Sequence, residues 1–330
     1  MGYGFRNCKF ASKGGNLENQ LAQLNWKCVG PLKCMPYDEM DWAFCVLKDD
    51  DGHYYIYYVR PYCDPCRRVY RMRSSDGKTD NWIDDPVHSV LRGKEGTKYD
   101  GGTTCPTVWK ENDCYHMIFS GLWSLDRKWR AFYAKSTDGI SWAVQNANYP
   151  IIDIGGCCDW DYENAEPTGV IKVGEIYYCW YNDIDCSSSA SRQMGVATSR
   201  DLLHWEKDRR NPIFDGGRFC PSPIKYNDKY CLFVCHMTDC AHSEIELYRC
   251  DSPTFYPADR KCEGVVKSYV KDSLWEANVL DPAFVLTDTI YRDTFSASHN
   301  QLWMYYGANT YEGRVRGIGL CTAELPRKNE

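Results

Sequence analysis

Residues 166–205 decide how the chain is read. They begin Glu166-Pro167-Thr168-Gly169-Val170, pass a turn, and continue Glu175-Ile176-Tyr177-Tyr178-Cys179-Trp180-Tyr181. A third run, 194–198, leads into Ser199-Arg200-Asp201-Leu202-Leu203-His204-Trp205. Short runs rich in aromatic and β-branched residues, bounded by turn residues, predict strands. Two such runs across a tight polar turn predict a hairpin. The Ser-x-Asp turn followed by Trp suits a polar corner with an aromatic plug at the sheet edge.

The same succession recurs on both sides of this stretch. The first run returns as Asp41-Trp42-Ala43-Phe44-Cys45-Val46, Cys105-Pro106-Thr107-Val108, Cys220-Pro221-Ser222-Pro223-Ile224 and Asp281-Pro282-Ala283-Phe284-Val285. The leading residues, 41, 105, 166, 220 and 281, lie 64, 61, 54 and 61 positions apart. The second run returns at 53–58, 114–119, 229–234 and 301–306. The third returns at 69–74 before Trp82 and at 130–136 before Thr137-Asp138-Gly139-Ile140-Ser141-Trp142, with weaker copies at 245–250 and 317–322.

A period of this length marks a repeat architecture. Five antiparallel four-stranded units predict an all-β, five-bladed β-propeller, in which radial stacking buries the faces that one hairpin leaves open. A β-sandwich would lack the longer period, and an α/β fold would need amphipathic helices between strands. Only residues 17–24 look helical. Without a Gly/Ser-rich linker, residues 1–330 read as one domain, with 1–36 as an N-terminal extension and blades starting near 41, 105, 166, 220 and 281.

With 330 residues, 43% hydrophobic and 25% charged, the chain is neither disordered nor fibrous. A net charge of −6 and a pI near 5.7 argue against a nucleic-acid partner. No stretch approaches 18 apolar residues, so no membrane span is expected. The 19 cysteines cannot all pair within one chain. Residues 1–10 contain no apolar signal core, and no Asn-x-Ser/Thr sequon occurs. Reduced, buried thiols in the cytoplasm are the expectation. Cys63-x-x-Cys66 has no partner pair at zinc-ribbon spacing, so no metal ligands are assigned. No cofactor is required, though the fold leaves room for a central structural cation; the oligomeric state stays open.

In a propeller the first strand of each blade lines the central channel, and its leading end opens onto one face. Asp41, Cys105, Glu166, Cys220 and Asp281 are therefore candidates to converge. Three are carboxylates, and like charges in one cleft raise at least one pKa, as a general acid near neutral pH requires. Trp42, Asp100, Trp160, Asp161, Arg218, Trp275, Glu276 and Asn278 fall near the heads of the blades, where they would stack on or hydrogen-bond a substrate. Asp159 and Glu163, with Asp100 and Asp161, are the reserve acids.

On the Ser-Thr-Asp-Gly-Ile-Ser-Trp and Ser-Arg-Asp-Leu-Leu-His-Trp endings, Glu166-Pro167, Asn211-Pro212-Ile213 and Asp281-Pro282, the chain resembles the five-bladed propeller glycosidases over about residues 37–323. That superfamily holds arabinanases, xylosidases, fructosidases and mannoside phosphorylases. The resemblance implies Asp41 as base or nucleophile, Glu166 as general acid and Asp281 as the third acid, acting on a carbohydrate substrate. Two features depart from the pattern: Trp42 rather than Pro follows Asp41, and Asp281 comes after the general acid rather than before it. The phosphorylase-type Glu-Asp-Pro-Arg motif is absent, which ranks hydrolysis above phosphorolysis. The sialidase Asp-box has one more residue between Asp and Gly. The resemblance and the paired-carboxylate chemistry together predict a glycoside hydrolase with its two carboxyls about 5–10 Å apart; a non-catalytic carbohydrate-binding propeller is the alternative.

Overall fold

The computed structural model describes residues 21–36, 43–61, 66–183, 192–226, 228–238, 242–270, 273, 275–277, 280–286, 301–309 and 315–325, with only the backbone described for 36, 280–286 and 315. Strand β1 (Lys27–Pro36) comes first and joins the last blade. Blade 1 comprises β2 (Phe44–Lys48), β3 (Tyr54–Pro61), β4 (Arg67–Ser74) and β5 (Ile83–Asp84), with β6 (Leu91–Arg92) also pairing β4. Blade 2 comprises β7 (Gly102–Glu111), β8 (Cys114–Trp123), β9 (Lys128–Ser136) and β10 (Ala143–Val144). Blade 3 comprises β11 (Glu166–Val173), β12 (Ile176–Asp183), β13 (Gln193–Ser199) and β14 (Glu206–Lys207). Blade 4 comprises β15 (Arg218–Tyr226), β16 (Lys229–Met237), β17 (Ser243–Cys250) and β18 (Lys261–Ser268). Blade 5 comprises β19 (Leu280–Leu286), β20 (Gln301–Asn309), β21 (Val315–Glu324) and β1.

The inner strands close a ring. β2 packs on β7, β7 on β11, β11 on β15, β15 on β19, and β19 back on β2. The protein is a five-bladed β-propeller.

The long apolar runs follow from this stacking, because alternate residues of a strand face opposite sides of its sheet. In β16, Tyr230, Leu232 and Val234 pack with Trp180 and Val196 of blade 3. The intervening Cys231 and Phe233 pack with Leu302 and Met304 of blade 5. A middle strand is thus buried on both faces and shows no polar alternation.

The ring closes through β1, which pairs antiparallel with β21 and carries a Cys28–Cys321 disulfide between directly opposed residues. From residue 27 onward, the segment read as an N-terminal extension is the outer strand of blade 5. Of the helix expected over 17–24, residues Leu21–Gln23 form one 3-10 turn, and 17–20 lie outside the described residues.

Two further devices repeat from blade to blade. At the ends of β4, β9 and β13, the Ser74, Ser136 and Ser199 hydroxyls accept backbone N–H groups two and three residues on. Asp76, Asp138 and Asp201 accept the next two N–H groups. Burial acts to raise the Asp138 carboxyl, but these bonds outweigh it and hold it at about 2. The second device crosses between blades. Asp49 accepts Lys110 at 3.1 Å and the Tyr115 hydroxyl, while Glu111 accepts Lys172 at 2.7 Å and Tyr177 at 2.6 Å. An acid at or just past the end of one inner strand thereby grips a Lys and a Tyr of the next blade.

Candidate active site

The site is built on the inner strands, four of which share a defect. One-residue register shifts occur between Thr104 and Thr107, Pro167 and Gly169, Phe219 and Ser222, and Asp281 and Ala283. Each lies at a proline, which has no N–H for the ladder and is tolerated on an edge strand or at a bulge. The residues before these prolines, Cys105, Glu166, Cys220 and Asp281, occupy corresponding places in adjacent blades. Cys105 and Cys220 take left-handed backbone conformations, φ 48° and 49°. Such strain persists where surrounding structure holds it, and it concentrates at functional sites.

Glu166 opens β11 and is 7% exposed. Cys105, one blade earlier, donates its thiol to Glu166 Oε2 at 3.9 Å. On the other side, Asn182, directly opposite Glu166 across the β11–β12 ladder, donates to Cys220 Sγ at 3.7 Å and accepts the Cys220 N–H at 3.3 Å. The head of blade 3 is thus linked to both neighbours through thiols. Sequence reading expected Cys105, Glu166 and Cys220 to converge from their shared place in the repeat, but it did not name Asn182 as the link to Cys220.

The remaining candidates are held mostly within their own blades. Asp161 is 2% exposed and accepts Lys207 at 2.6 Å and Tyr181 at 3.1 Å. Trp160 packs on Tyr181, ring centroids 5.3 Å apart, and covers Gly195, where an added Cβ would sit 2.6 Å from the indole. Blade 5 has a similar arrangement, except that its lysine comes from β18 of blade 4. Glu276 accepts Tyr306 at 2.8 Å and lies 3.1 Å from Lys267, while Trp275 packs on Tyr306 and Gly319. Asp100 accepts the N–H and hydroxyl of Ser124 at 2.8 and 2.7 Å. Asp159 accepts Gly156 N–H, and the half-exposed Glu163 lies 3.7 Å from Lys128. Asp41, Trp42 and Asn278 lie outside the described residues, and for Asp281 only the backbone, in β19, is described.

Asp100, Asp161 and Glu276 share an unread signature. An aromatic-acid pair stands seven residues before each proline: Tyr99-Asp100 before Pro106, Trp160-Asp161 before Pro167, Phe214-Asp215 before Pro221, and Trp275-Glu276 before Pro282. Its regularity is that of the repeat itself.

Arg218 heads β15 and bonds Glu246 at 2.8 Å and Tyr248 at 2.7 Å. Burial acts to raise the Glu246 carboxyl, but hydrogen bonds from His236, Arg218 and Tyr248 outweigh it and hold it at about 2. Burial, then the Glu246 charge, pushes Glu244 up. His236, Glu244 and Glu246 hold one ligand atom each within 4.8 Å of one another, the sole such trio among the described residues. With the Arg218 guanidinium already on Glu246, the trio has the donors of an ion-pair network, and a metal ion would have to displace that cation.

No family model matches the chain, and no curated protein matches it. Solved structures do. A glycoside hydrolase superposes with a TM-score of 0.69 at 11% identity, covering 90% of this chain and 91% of the other. A family 117 glycoside hydrolase from the marine bacterium Zobellia galactanivorans superposes with a TM-score of 0.67 at 13% identity, covering 93% and 92%. A β-1,2-mannobiose phosphorylase from Listeria innocua, in complex with β-1,2-mannobiose, gives 0.64 at 16% identity, covering 92% and 97%. The chain has the fold of the five-bladed propeller glycosidases. At these identities the likeness is one of fold, spanning about nine-tenths of each partner.

Proposed function

We propose that this protein is a glycoside hydrolase working with paired carboxylates, Glu166 as general acid and Asp41 as base or nucleophile, with Asp281 as the third acid. The observation that carries the reading is the position of Glu166. It is a buried carboxylate that opens an inner strand, next to the proline bulge that recurs at the heads of blades 2, 4 and 5. Cleaving a glycosidic bond needs one group to protonate the leaving oxygen and another to activate water or attack the anomeric carbon. That known structures of this fold include glycoside hydrolases supports the reading. Hydrolysis is favoured over phosphorolysis because the Glu-Asp-Pro-Arg motif is absent.

The second reading, a non-catalytic carbohydrate-binding propeller, draws on Cys105 and Cys220, thiols at the places corresponding to Glu166 in blades 2 and 4. A screen of aryl furanosides and pyranosides, repeated with Glu166→Gln, separates the two. On the best substrate, Glu166→Gln should lower turnover at least about a hundredfold without changing the melting temperature. Undiminished turnover would move the acid elsewhere, and cleavage of no substrate by the unaltered protein would favour the binder.

A further inference from the structure

Between β10 and β11 the chain makes a tight turn through Gly155-Gly156-Cys157-Cys158-Asp159-Trp160-Asp161. The Gly155 N–H donates to the Asp161 carbonyl at 3.0 Å, and the Asp159 N–H donates to the Gly156 carbonyl at 2.9 Å. The Asp159 carboxylate folds back to accept the Gly156 N–H at 2.6 Å. The turn is closely packed inside, since a Cβ added at Gly155 would sit 2.3 Å from Asp161 Oδ1 and 2.5 Å from Asp159 Cβ. Trp160 and Asp161 anchor its far end on Tyr181 and Lys207. Cys157 and Cys158 stand in the middle of the turn, both exposed, with their sulfurs 3.9 Å apart. On an extended chain adjacent side chains point to opposite sides, so it is the turn that brings the two thiols together. Cys34 and Cys262, the other exposed free thiols among the described residues, lie on β1 and β18, in different blades.

We propose that Cys157 and Cys158 form a vicinal dithiol site that chelates a thiophilic centre taking two sulfur donors, either a trivalent arsenical or a soft metal ion. A tetrahedral centre with metal–sulfur bonds of about 2.3 Å holds two thiolates roughly 3.8 Å apart. The pair already stands near that spacing. A disulfide bond is about 2.05 Å long, so forming one would require the sulfurs to approach by about 1.9 Å within an anchored turn. Sulfur donors select soft ions over the hard cations that prefer carboxylates. The sole trio of metal-ligating side chains among the described residues is His236, Glu244 and Glu246 of blade 4. The turn therefore offers two sulfurs and leaves any further coordination positions to external ligands. The inference stands apart from the glycoside hydrolase reading and does not depend on it.

Phenylarsine oxide is the first probe. Its oxygen leaves as water with the two thiol protons, two arsenic–sulfur bonds form, and arsenic stays trivalent. By intact mass, the full chain should take up one more phenylarsenic group than the Cys157→Ser, Cys158→Ser double variant. Excess small dithiol should remove that group, and the same excess of a monothiol should not. Either single serine variant should lose the group as completely as the double variant, because one thiolate cannot chelate. Serines on an exposed turn should leave the melting temperature unchanged, which separates lost uptake from lost folding. Cadmium titration is the second arm. Thiolate-to-cadmium charge-transfer absorption that disappears in either single variant would support the metal part, and its absence from the native chain would overturn that part. Equal arsenical uptake by the native chain and the double variant, or partial losses in the two single variants that add up to the double, would overturn the proposal. So would a native peptide spanning the pair that lacks the two thiol hydrogens and takes up the arsenical only after reduction, since the pair would then be a disulfide.

Discussion

Replacing Glu111 with Gln tests whether the blades are held together by the repeated acid–Lys–Tyr grip. Glu111 extends from blade 2 to Lys172 and Tyr177 of blade 3, with side chains 10% and 21% exposed for Glu111 and Lys172. Gln keeps an acceptor for Tyr177 but removes the anion facing Lys172. A charge-assisted hydrogen bond is worth about 1.5–3 kcal/mol, and because Lys172 reaches water the loss is placed at about 2 kcal/mol. For a chain of this size that is a fall of about 2–4 °C in melting temperature. Burial acts to raise the Glu111 carboxyl, but the bonds from Lys172 and Tyr177 outweigh it and hold it below its ordinary value. Stability from a depressed carboxyl is present above its unfolded pKa, about 4.3, and is lost as pH falls through the lower folded value. The gap between the native chain and Glu111→Gln should therefore be full at pH 7 and shrink below about pH 4. Thermal melts followed by circular dichroism from pH 7 to pH 3.5 measure it. No gap at pH 7, or a gap unchanged at pH 3.5, would refute the assignment.

Gly195→Ala would put a methyl 2.6 Å from the Trp160 ring and 2.8 Å from Asn211. It should cost about 1–3 kcal/mol as overpacking and change tryptophan fluorescence; unchanged fluorescence would argue against this Trp–Gly contact. Removing the Cys28–Cys321 bond with paired serines frees the ends of a 293-residue separation. The expected loss is about 2–4 kcal/mol, seen as a lower denaturation midpoint, and the native chain should show the same drop on reduction. Thiol counting under denaturing, non-reducing conditions tests the expectation that most cysteines are reduced.

What could be read from the sequence followed from local chemistry. The Ser-Thr-Asp-Gly-Ile-Ser-Trp corner is legible because Ser136 and Asp138 bond N–H groups only two or three residues away. The aromatic runs are legible because both faces of a middle strand are buried, as the split of Tyr230 and Cys231 between two blade interfaces shows. Strand β1 was not legible, since its partner lies at the far end of the chain and only ring closure brings Cys28 to Cys321. For the site, the repeat aligned Glu166 with Cys105, Cys220 and Asp281, and the backbone registers share that alignment. The repeat could not say which neighbouring acids are committed elsewhere. Asp161 and Glu276 carry the charge and spacing of ligand-binding residues, yet each accepts a tyrosine of its own blade and lies beside a lysine. Charge alone does not separate such an acid from Glu166. The distinction lies in whether the residue opens the interval from aromatic-acid pair to proline or stands at its end, next to the point where the ladder bulges.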